Sequence, residues 1–303
     1  MQRAMDDSSV KPDLLSACKS VGLVCDGAMG TQLMMRGLTP GECGMRWNDS
    51  RSADVRSVHS EYAKAGCRLI TSNSFGGTRT MLDRHGLGEM VLPWNRLAAA
   101  LAREAVGPDG WVFGDVGPFG DFLEPLGDMT EDRLMEIFSE QMAALVEGGA
   151  DAILVETMSD PAEAAVGVRA AKAFGDFPVA VTFAFQKTNG QFRTMMGTAV
   201  GNAISAALEA GADIVGANCG TDLTLDDYAT LALEICGAAG SAPTILQPNA
   251  GAPQSTPDGV RYNATPDDMA AAAQRLRAAG ISIVGGCCGT SPAHLAAMAR
   301  ALA

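Results

Sequence analysis

Four segments of the chain share one plan: a helical stretch, a glycine among small residues, then a short apolar run that ends in polar residues. They read Ala65-Gly66-Cys67-Arg68-Leu69-Ile70-Thr71, Gly149-Ala150-Asp151-Ala152-Ile153-Leu154-Val155-Glu156, Gly211-Ala212-Asp213-Ile214-Val215-Gly216-Ala217-Asn218 and Gly280-Ile281-Ser282-Ile283-Val284-Gly285-Gly286-Cys287. Each glycine sits where the residue after a helix needs a positive φ. Each apolar run is continuous rather than alternating, the pattern of a parallel strand covered on both faces. Four further runs, Val21 to Cys25, Trp111 to Val116, Pro178 to Phe183 and Thr244 to Gln247, bring the strands to eight. Helices between them open with a capping residue followed by proline, as in Asp160-Pro161, Thr265-Pro266 and Ser291-Pro292. Eight strands alternating with roughly eight helices predict an α/β fold, a single (β/α)8 TIM barrel. The competing arrangement is a doubly wound open sheet. It calls for a phosphate-binding turn after the first strand, and Asp26-Gly27-Ala28-Met29-Gly30 lacks the G-x-G-x-x-G spacing. The last helix, Ser291 to Leu302, runs to the end of the chain, so the expected division is an N-terminal arm at 1–19 and one barrel at 20–303.

Composition narrows the partners. The chain has 303 residues, 47% hydrophobic and 19% charged, which excludes a solvated, disordered polymer. Its 22 Lys and Arg against 35 Asp and Glu give a net charge of −13. Such a surface repels phosphate backbones and anionic bilayers, so neither nucleic acid nor membrane is an expected partner. No apolar run reaches the ~18 residues of a spanning helix. The start of the chain carries Asp6, Asp7 and Asp13 and no apolar core, unlike an export signal, so a cytoplasmic location is expected. Eight cysteines are too few for a disulfide scaffold, and a reducing compartment keeps them as thiols.

A barrel of this kind places its chemistry at the C-terminal ends of the strands. Read in order, those ends are Asp26, Asn73, Asp115, Glu156, Thr182, Asn218 with Cys219, Gln247 to Asn249, and Cys287 with Cys288. All are polar or thiol-bearing. Cys219 closes the sixth strand, and Cys287 and Cys288 close the eighth, so the three share one rim. Adjacent strand residues point to opposite faces, but Gly285, Gly286 and Gly289 surround the vicinal pair and permit the turn that brings both sulfurs together. Three thiolates on an open rim match catalytic zinc, which keeps its fourth position for substrate. On spacing alone, packed core thiols and a vicinal redox disulfide remain alternatives. Cys25 and Cys67 fall in strands and are expected in the core, and Cys236 on an Ala- and Leu-rich helix is expected to pack. Cys18 and Cys43 have no partner within a motif. The three histidines form no metal-binding pair. His294, near the Cys287 rim, is expected on the surface rather than in support of the site.

The blocks Asp26-Gly27-Ala28-Met29-Gly30-Thr31, Gly216-Ala217-Asn218-Cys219-Gly220 and Gly285-Gly286-Cys287-Cys288-Gly289-Thr290 resemble the signatures of the zinc-dependent homocysteine S-methyltransferases. That family includes betaine–homocysteine methyltransferase and the homocysteine-binding barrel of cobalamin-dependent methionine synthase. Thr71-Ser72-Asn73-Ser74-Phe75-Gly76, Gly114-Asp115-Val116-Gly117-Pro118, Glu156-Thr157-Met158-Ser159, Thr194-Met195-Met196-Gly197 and Pro248-Asn249-Ala250-Gly251 also match. The likeness runs from about residue 20 to the end.

The resemblance implies one Zn2+ per chain on Cys219, Cys287 and Cys288, activating homocysteine to form methionine. Only a thiolate attacks carbon, and a free alkyl thiol is mostly protonated at neutral pH. By the same resemblance Asp26 and Glu156 bind the substrate ammonium. Backbone N–H groups near Gly27 and side chains at Ser72, Asn73 and Ser74 take its carboxylate, and Asn218 and Asn249 orient the rim. The family often has Thr where this chain has Ser72 and Ser74. The donor is open. Trp47 matches one wall of the aromatic cage that grips betaine, but Gly76 and Thr157 stand where the two cage tyrosines belong. Gly76-Gly77 reads as an open, flexible mouth suited to a bulky donor. The favoured donor is therefore methylcobalamin carried on a separate corrinoid protein, with betaine, S-methylmethionine or a different thiol acceptor as alternatives. The chain lacks the C-terminal extension through which the betaine enzymes associate, so a monomer or dimer is expected. Two other classes compete: a barrel lyase using Glu156 and a lysine, although no strand ends in Lys, and a redox or zinc-storage protein using Cys287 and Cys288.

Overall fold

The computed structural model describes residues 11–20, 22–256 and 259–303. Eight parallel strands form one sheet: β1 (Leu23–Val24), β2 (Leu69–Thr71), β3 (Trp111–Val116), β4 (Ala152–Met158), β5 (Val179–Phe183), β6 (Ile214–Asn218), β7 (Thr244–Gln247) and β8 (Ile283–Val284). Neighbours in sequence are neighbours in the sheet, and β1 pairs with β8. A parallel bridge between Cys25 and Leu69 joins β1 to β2 and closes the circle. The chain is a (β/α)8 barrel, and each strand coincides with a predicted apolar run. Val21, placed at the start of the first run, lies outside the described residues.

The continuous apolar runs are explained by two covered faces. Along β4, Ala152 and Leu154 join one buried cluster with Leu69, Phe113, Ala180, Ile214, Ile245 and Ile283, which fills the barrel interior. Ile153 and Val155 join the second cluster, between strands and helices. The inward phase then fixes the lining above this apolar floor, because every second residue faces the same way. Two residues beyond Leu69, Phe113, Leu154, Ala180 and Ile245, and four beyond Ile214, stand Thr71, Asp115, Glu156, Thr182, Gln247 and Asn218.

Gly66, Gly149, Gly211 and Gly280 all adopt φ between +97° and +106°, as their place after a helix requires. The aspartate two residues beyond Gly149 and Gly211 does work the pattern had not indicated. Asp151 accepts the Val112 N–H and Asp213 the Val179 N–H, each at 2.8 Å, anchoring the start of β3 and β5. Lys11 and Arg103 pair with Asp151, and Lys172 pairs with Asp213 at 2.6 Å.

Of the arm expected at 1–19, residues 1–10 lie outside the described residues. Leu14–Ser20 is a helix whose Leu14, Ala17 and Cys18 belong to the buried interior cluster with Leu23 and Trp111. Two antiparallel hairpins, Gln186–Thr188 with Gln191–Arg193 and Gln254–Thr256 with Gly259–Arg261, follow β5 and β7. The expected N-caps form at Asp160, Thr265 and Ser291. His294, expected on the surface, is half-buried: its Nδ1 meets Ser291 Oγ at 2.8 Å and its Nε2 meets the Ala264 carbonyl at 2.9 Å. It caps its own helix and ties it to the loop after β7. Among the described residues no helix is long and apolar enough to cross a membrane.

Candidate active site

A cavity of about 490 Å³ opens at the C-terminal ends of the strands. Asp26, Asp115, Glu156, Cys219, Gln247, Cys287 and Cys288 line its depth, and Met34, Leu38, Cys43, Phe75 and His85 its mouth.

The backbone brings the three sulfurs together. β6 ends at Asn218, and Cys219 follows in a left-handed conformation, φ 51°, with its N–H donated to the Gln247 carbonyl at 3.1 Å. β8 ends at Val284, and the glycines then carry the chain off the strand, so Cys287 and Cys288 escape strand alternation. The Cys287 N–H reaches Pro248 O at 2.8 Å, while Thr290 Oγ1 donates to Cys287 O at 2.7 Å and closes the turn. Cys219 Sγ lies 3.9 Å from Cys288 Sγ, which lies 3.9 Å from Cys287 Sγ. All three fall within 4.8 Å of one another. A tetrahedral zinc with Zn–S bonds of ~2.3 Å sets its sulfurs about 3.8 Å apart, so the donor set fits that ion in number, chemistry and spacing. Without a cation the thiols cannot all ionise. Hydrogen bonds from Cys287 and Cys288 pull Cys219 down to about 3, and the same bonds push Cys288 up to about 11 and Cys287 well above its usual range. One negative charge is shared among three sulfurs, and a divalent ion is what would let all three be thiolates.

Other side chains support this rim. Asn218 Nδ2 donates to Thr157 Oγ1 at 2.7 Å and faces Cys287 Sγ at 3.8 Å. Asn249 hydrogen-bonds to Cys219 and donates to the Gly220 carbonyl at 3.2 Å. Tyr262, from the segment after the second hairpin, hydrogen-bonds to Cys288. Its ring lies so close to Gly289 that a Cβ there would sit 2.2 Å from the ring's Cγ. Nothing in the sequence marked Tyr262, because it comes from a loop with no motif.

Three carboxyls share the depth of the cavity, and exposed Glu42 lines its mouth. Asp26 accepts the Thr71 N–H and Thr71 Oγ1–H, each at 2.9 Å, and the Cys25 thiol at 3.4 Å. Burial lifts it to about 7 against those bonds. Burial, and then the charges of Asp26 and Cys219, lift Glu156 to about 8. Asp115 is only 3% exposed; burial, then Glu156 and Asp26, raise it well above the usual carboxylate range. No Lys or Arg is among the described residues that line the cavity. In the sequence Asp115 is a polar strand end with no assigned role. The inward phase of β3 was the signal that could have found it.

Several candidates are committed elsewhere. Ser72 Oγ and Ser74 Oγ are 2.6 Å apart; Ser74 donates to Asp115 O at 2.7 Å, and Ser72 accepts the Asp115 N–H at 3.0 Å. Both hydroxyls hold the main chain of Asp115. Asn73 Nδ2 donates to Gly44 O and Asn48 Oδ1, clipping the loop after β2 to the segment at 44–48. Gly27 lines the cavity, and a Cβ there would meet Thr290 Oγ1 at 2.5 Å. Trp47 is buried, its ring covered by the Arg51 guanidinium at 3.9 Å, and it is not among the described cavity-lining residues. Of the expected flexible Gly76-Gly77 pair, Gly76 faces open space, but Gly77 is packed against Asn95, Gln141 and Ser74. Cys25 and Cys67 are buried as expected, although Cys67 stands two residues before β2 rather than within it.

A closed barrel with thiols and carboxyls crowded onto its C-terminal rim belongs to the class whose active sites are built from the strand-end loops. The family profile described as homocysteine S-methyltransferase matches residues 23–302, and the chain belongs to that family of methyltransferases. It is 32% identical over 319 residues to methionine synthase of Mycobacterium tuberculosis, a match spanning 99% of this chain and 26% of that protein. The Mycobacterium leprae methionine synthase is 31% identical, over 96% and 25% respectively. The chain thus spans about a quarter of the length of these curated relatives. Among solved structures, the metallated form of the homocysteine methyltransferase MmuM from Escherichia coli superposes with a TM-score of 0.75 at 21% identity, covering 93% of this chain and 96% of that one. A methyltransferase from Methanosarcina mazei gives 0.61 at 14% identity, over 96% and 97%. At those identities the likeness is one of fold.

Proposed function

We propose that this protein transfers a methyl group to homocysteine, forming methionine, with one zinc ion held by Cys219, Cys287 and Cys288. The observation that carries the reading is the meeting of these three sulfurs at tetrahedral spacing on the wall of the cavity. A zinc ion bound there supplies Lewis acidity that keeps a substrate thiol ionised at neutral pH while leaving the sulfur nucleophilic. The rest falls to the chain. Asp26, fixed by Thr71, and Glu156 offer negative charge to the substrate ammonium. Asn218 and Asn249 hold the rim.

The favoured donor is methylcobalamin on a separate corrinoid protein. A quaternary ammonium needs aromatic faces, and the one tryptophan offered for that task already stacks on Arg51. The mouth is instead apolar and wide, with Met34 and Phe75 exposed around it. The absence of lysine from the described lining argues against a Schiff-base lyase.

Two measurements test this reading. Purified protein is expected to carry about one zinc per chain, and Cys287→Ser to lose both the metal and methionine formation. Supplying homocysteine with methylcobalamin protein, betaine or S-methylmethionine in parallel identifies the donor. Full activity in a metal-free protein would overturn the zinc assignment, and activity with betaine alone would overturn the donor.

A further inference from the structure

The cavity has an imbalance that the two ammonium-binding carboxyls leave unexplained. Its depth holds three carboxyls and three thiols, Glu42 and Cys43 add one of each at the mouth, and its only basic side chain among the described lining residues is the exposed His85 at the rim. Yet an amino-acid thiol brings a carboxylate as well as an ammonium. The backbone N–H groups near Gly27 offer one donor to that carboxylate, and its second oxygen is left for another.

Asp115 is the group with that capacity. It points inward from β3, level with Leu154 on β4 and one inward position beyond Phe113, which pairs with Thr71 on β2. Its main chain is pinned from three sides: Ser72 Oγ takes its N–H, and Ser74 Oγ and Gln141 Nε2 donate to its carbonyl at 2.7 and 3.2 Å. Its side chain is 3% exposed, and Oδ1 has no hydrogen-bond partner among the described residues. The titratable groups that face it are all acids: Asp26 beyond β1, Glu156 on β4, and the thiols of Cys219, Cys287 and Cys288 across the cavity. β2 and the helix Glu131–Glu147 present it only hydroxyls and the Gln141 amide. Asp26 is the carboxyl best equipped to stay ionised, since it already accepts three hydrogen bonds. One substrate ammonium cannot balance three buried carboxylates.

We infer that Asp115 works as a neutral carboxylic acid whose O–H donates to the substrate carboxylate, making it a specificity-determining residue for the acceptor. Ser72 and Ser74 are then positioning residues, which hold the Asp115 peptide rather than touch substrate. The assignment rests on the homocysteine reading for the substrate, but the chemistry it needs is only a thiol bearing a carboxylate.

Three thiols separate the possibilities: homocysteine, 4-mercaptobutyrate without the amine, and 3-mercaptopropylamine without the carboxylate. Binding to the zinc-loaded protein is measured by calorimetry, alongside KM for methyl transfer to homocysteine. Asp115→Ala is expected to weaken homocysteine and 4-mercaptobutyrate by about 10- to 100-fold, the range for a hydrogen bond to a charged group. It should leave 3-mercaptopropylamine unchanged. Asp115→Asn, which keeps a donor, should recover most of that loss. Raising the pH should weaken the two carboxylate-bearing thiols in the wild type but not in Asp115→Asn. The inference is overturned if Asp115→Asn is as damaged as Asp115→Ala, if the loss falls on 3-mercaptopropylamine instead, or if Asp115→Ala binds all three normally. Should the wild type bind these thiols but not methylate homocysteine, the reaction assignment fails while the binding comparison still decides the role of Asp115.

Discussion

Asn218 Nδ2 stands 3.8 Å from Cys287 Sγ, and it is held there by a 2.7 Å hydrogen bond to Thr157 Oγ1. Thr157 itself has φ 60°, a left-handed conformation that a β-branched residue adopts only under constraint. Its N–H is taken by Thr182 Oγ1 at 3.2 Å, which helps to hold it at the irregularity in β4. Partners of metal ligands tune affinity by roughly 10- to 100-fold. Thr157→Val keeps the shape and removes the acceptor, so it should lower zinc affinity within that range, whereas Thr157→Ser should stay near the wild type. Competition with a chromophoric chelator reads the difference directly. Equal affinity in Thr157→Val and wild type would mean that Asn218 keeps its place unaided.

The barrel was legible because its strands, covered on both faces, are written as unbroken apolar runs. A glycine after a helix announces four of them. The thiol site was legible through the resemblance of its blocks to a known family, since spacing alone left packed thiols and a vicinal disulfide open. What could not be read was direction. Ser72 and Ser74 sit where substrate contacts were expected, but their hydroxyls are drawn to the peptide of Asp115, and nothing in a linear motif states which partner wins. Asp115 needed the phase of β3 and the charge of the whole cavity. Tyr262 needed a close packing against Gly289 that only three dimensions supply. The stacking that removes Trp47 from the cavity was nearer to hand, since Arg51 follows it by four residues across a short helix.

Glu163 gives the protein a pH dependence unconnected with the metal. It lies in the first turn of the helix Pro161–Lys172, 6% exposed, and accepts the Phe119 N–H at 2.8 Å. Burial outweighs that bond and lifts its carboxyl from 4.5 to about 7. The folded state therefore holds the proton more tightly than the unfolded chain. Its contribution to stability is fully present below about pH 4.5 and is lost as the pH rises through about 7. Glu163→Gln removes this term, so relative to wild type it should gain stability above neutrality, by up to about 3 kcal/mol, and nothing near pH 4. Urea unfolding at pH 4.5, 6 and 8 measures it. A variant that gains equally at all three values would contradict the burial argument.

Gly289 and Tyr262 form a pair whose energetics can be separated by a double-mutant cycle. Gly289 has φ +78°, and a Cβ there would meet the Tyr262 ring at 2.2 Å. Gly289→Ala therefore carries two penalties: a left-handed backbone in a residue with a Cβ, about 1–2 kcal/mol, and displacement of the ring that hydrogen-bonds to Cys288. In a Tyr262→Ala background only the first remains. The single Gly289→Ala variant should lose both stability and zinc affinity, while the same change made on Tyr262→Ala should lose stability alone. Tyr262→Phe keeps the ring on Gly289 and deletes the hydroxyl, so it should alter the visible spectrum of the cobalt-substituted site without changing the unfolding midpoint. If the two Gly289→Ala penalties prove strictly additive with those of Tyr262→Ala, the ring and the glycine are not in contact in solution, and the support given to Cys288 must come from elsewhere.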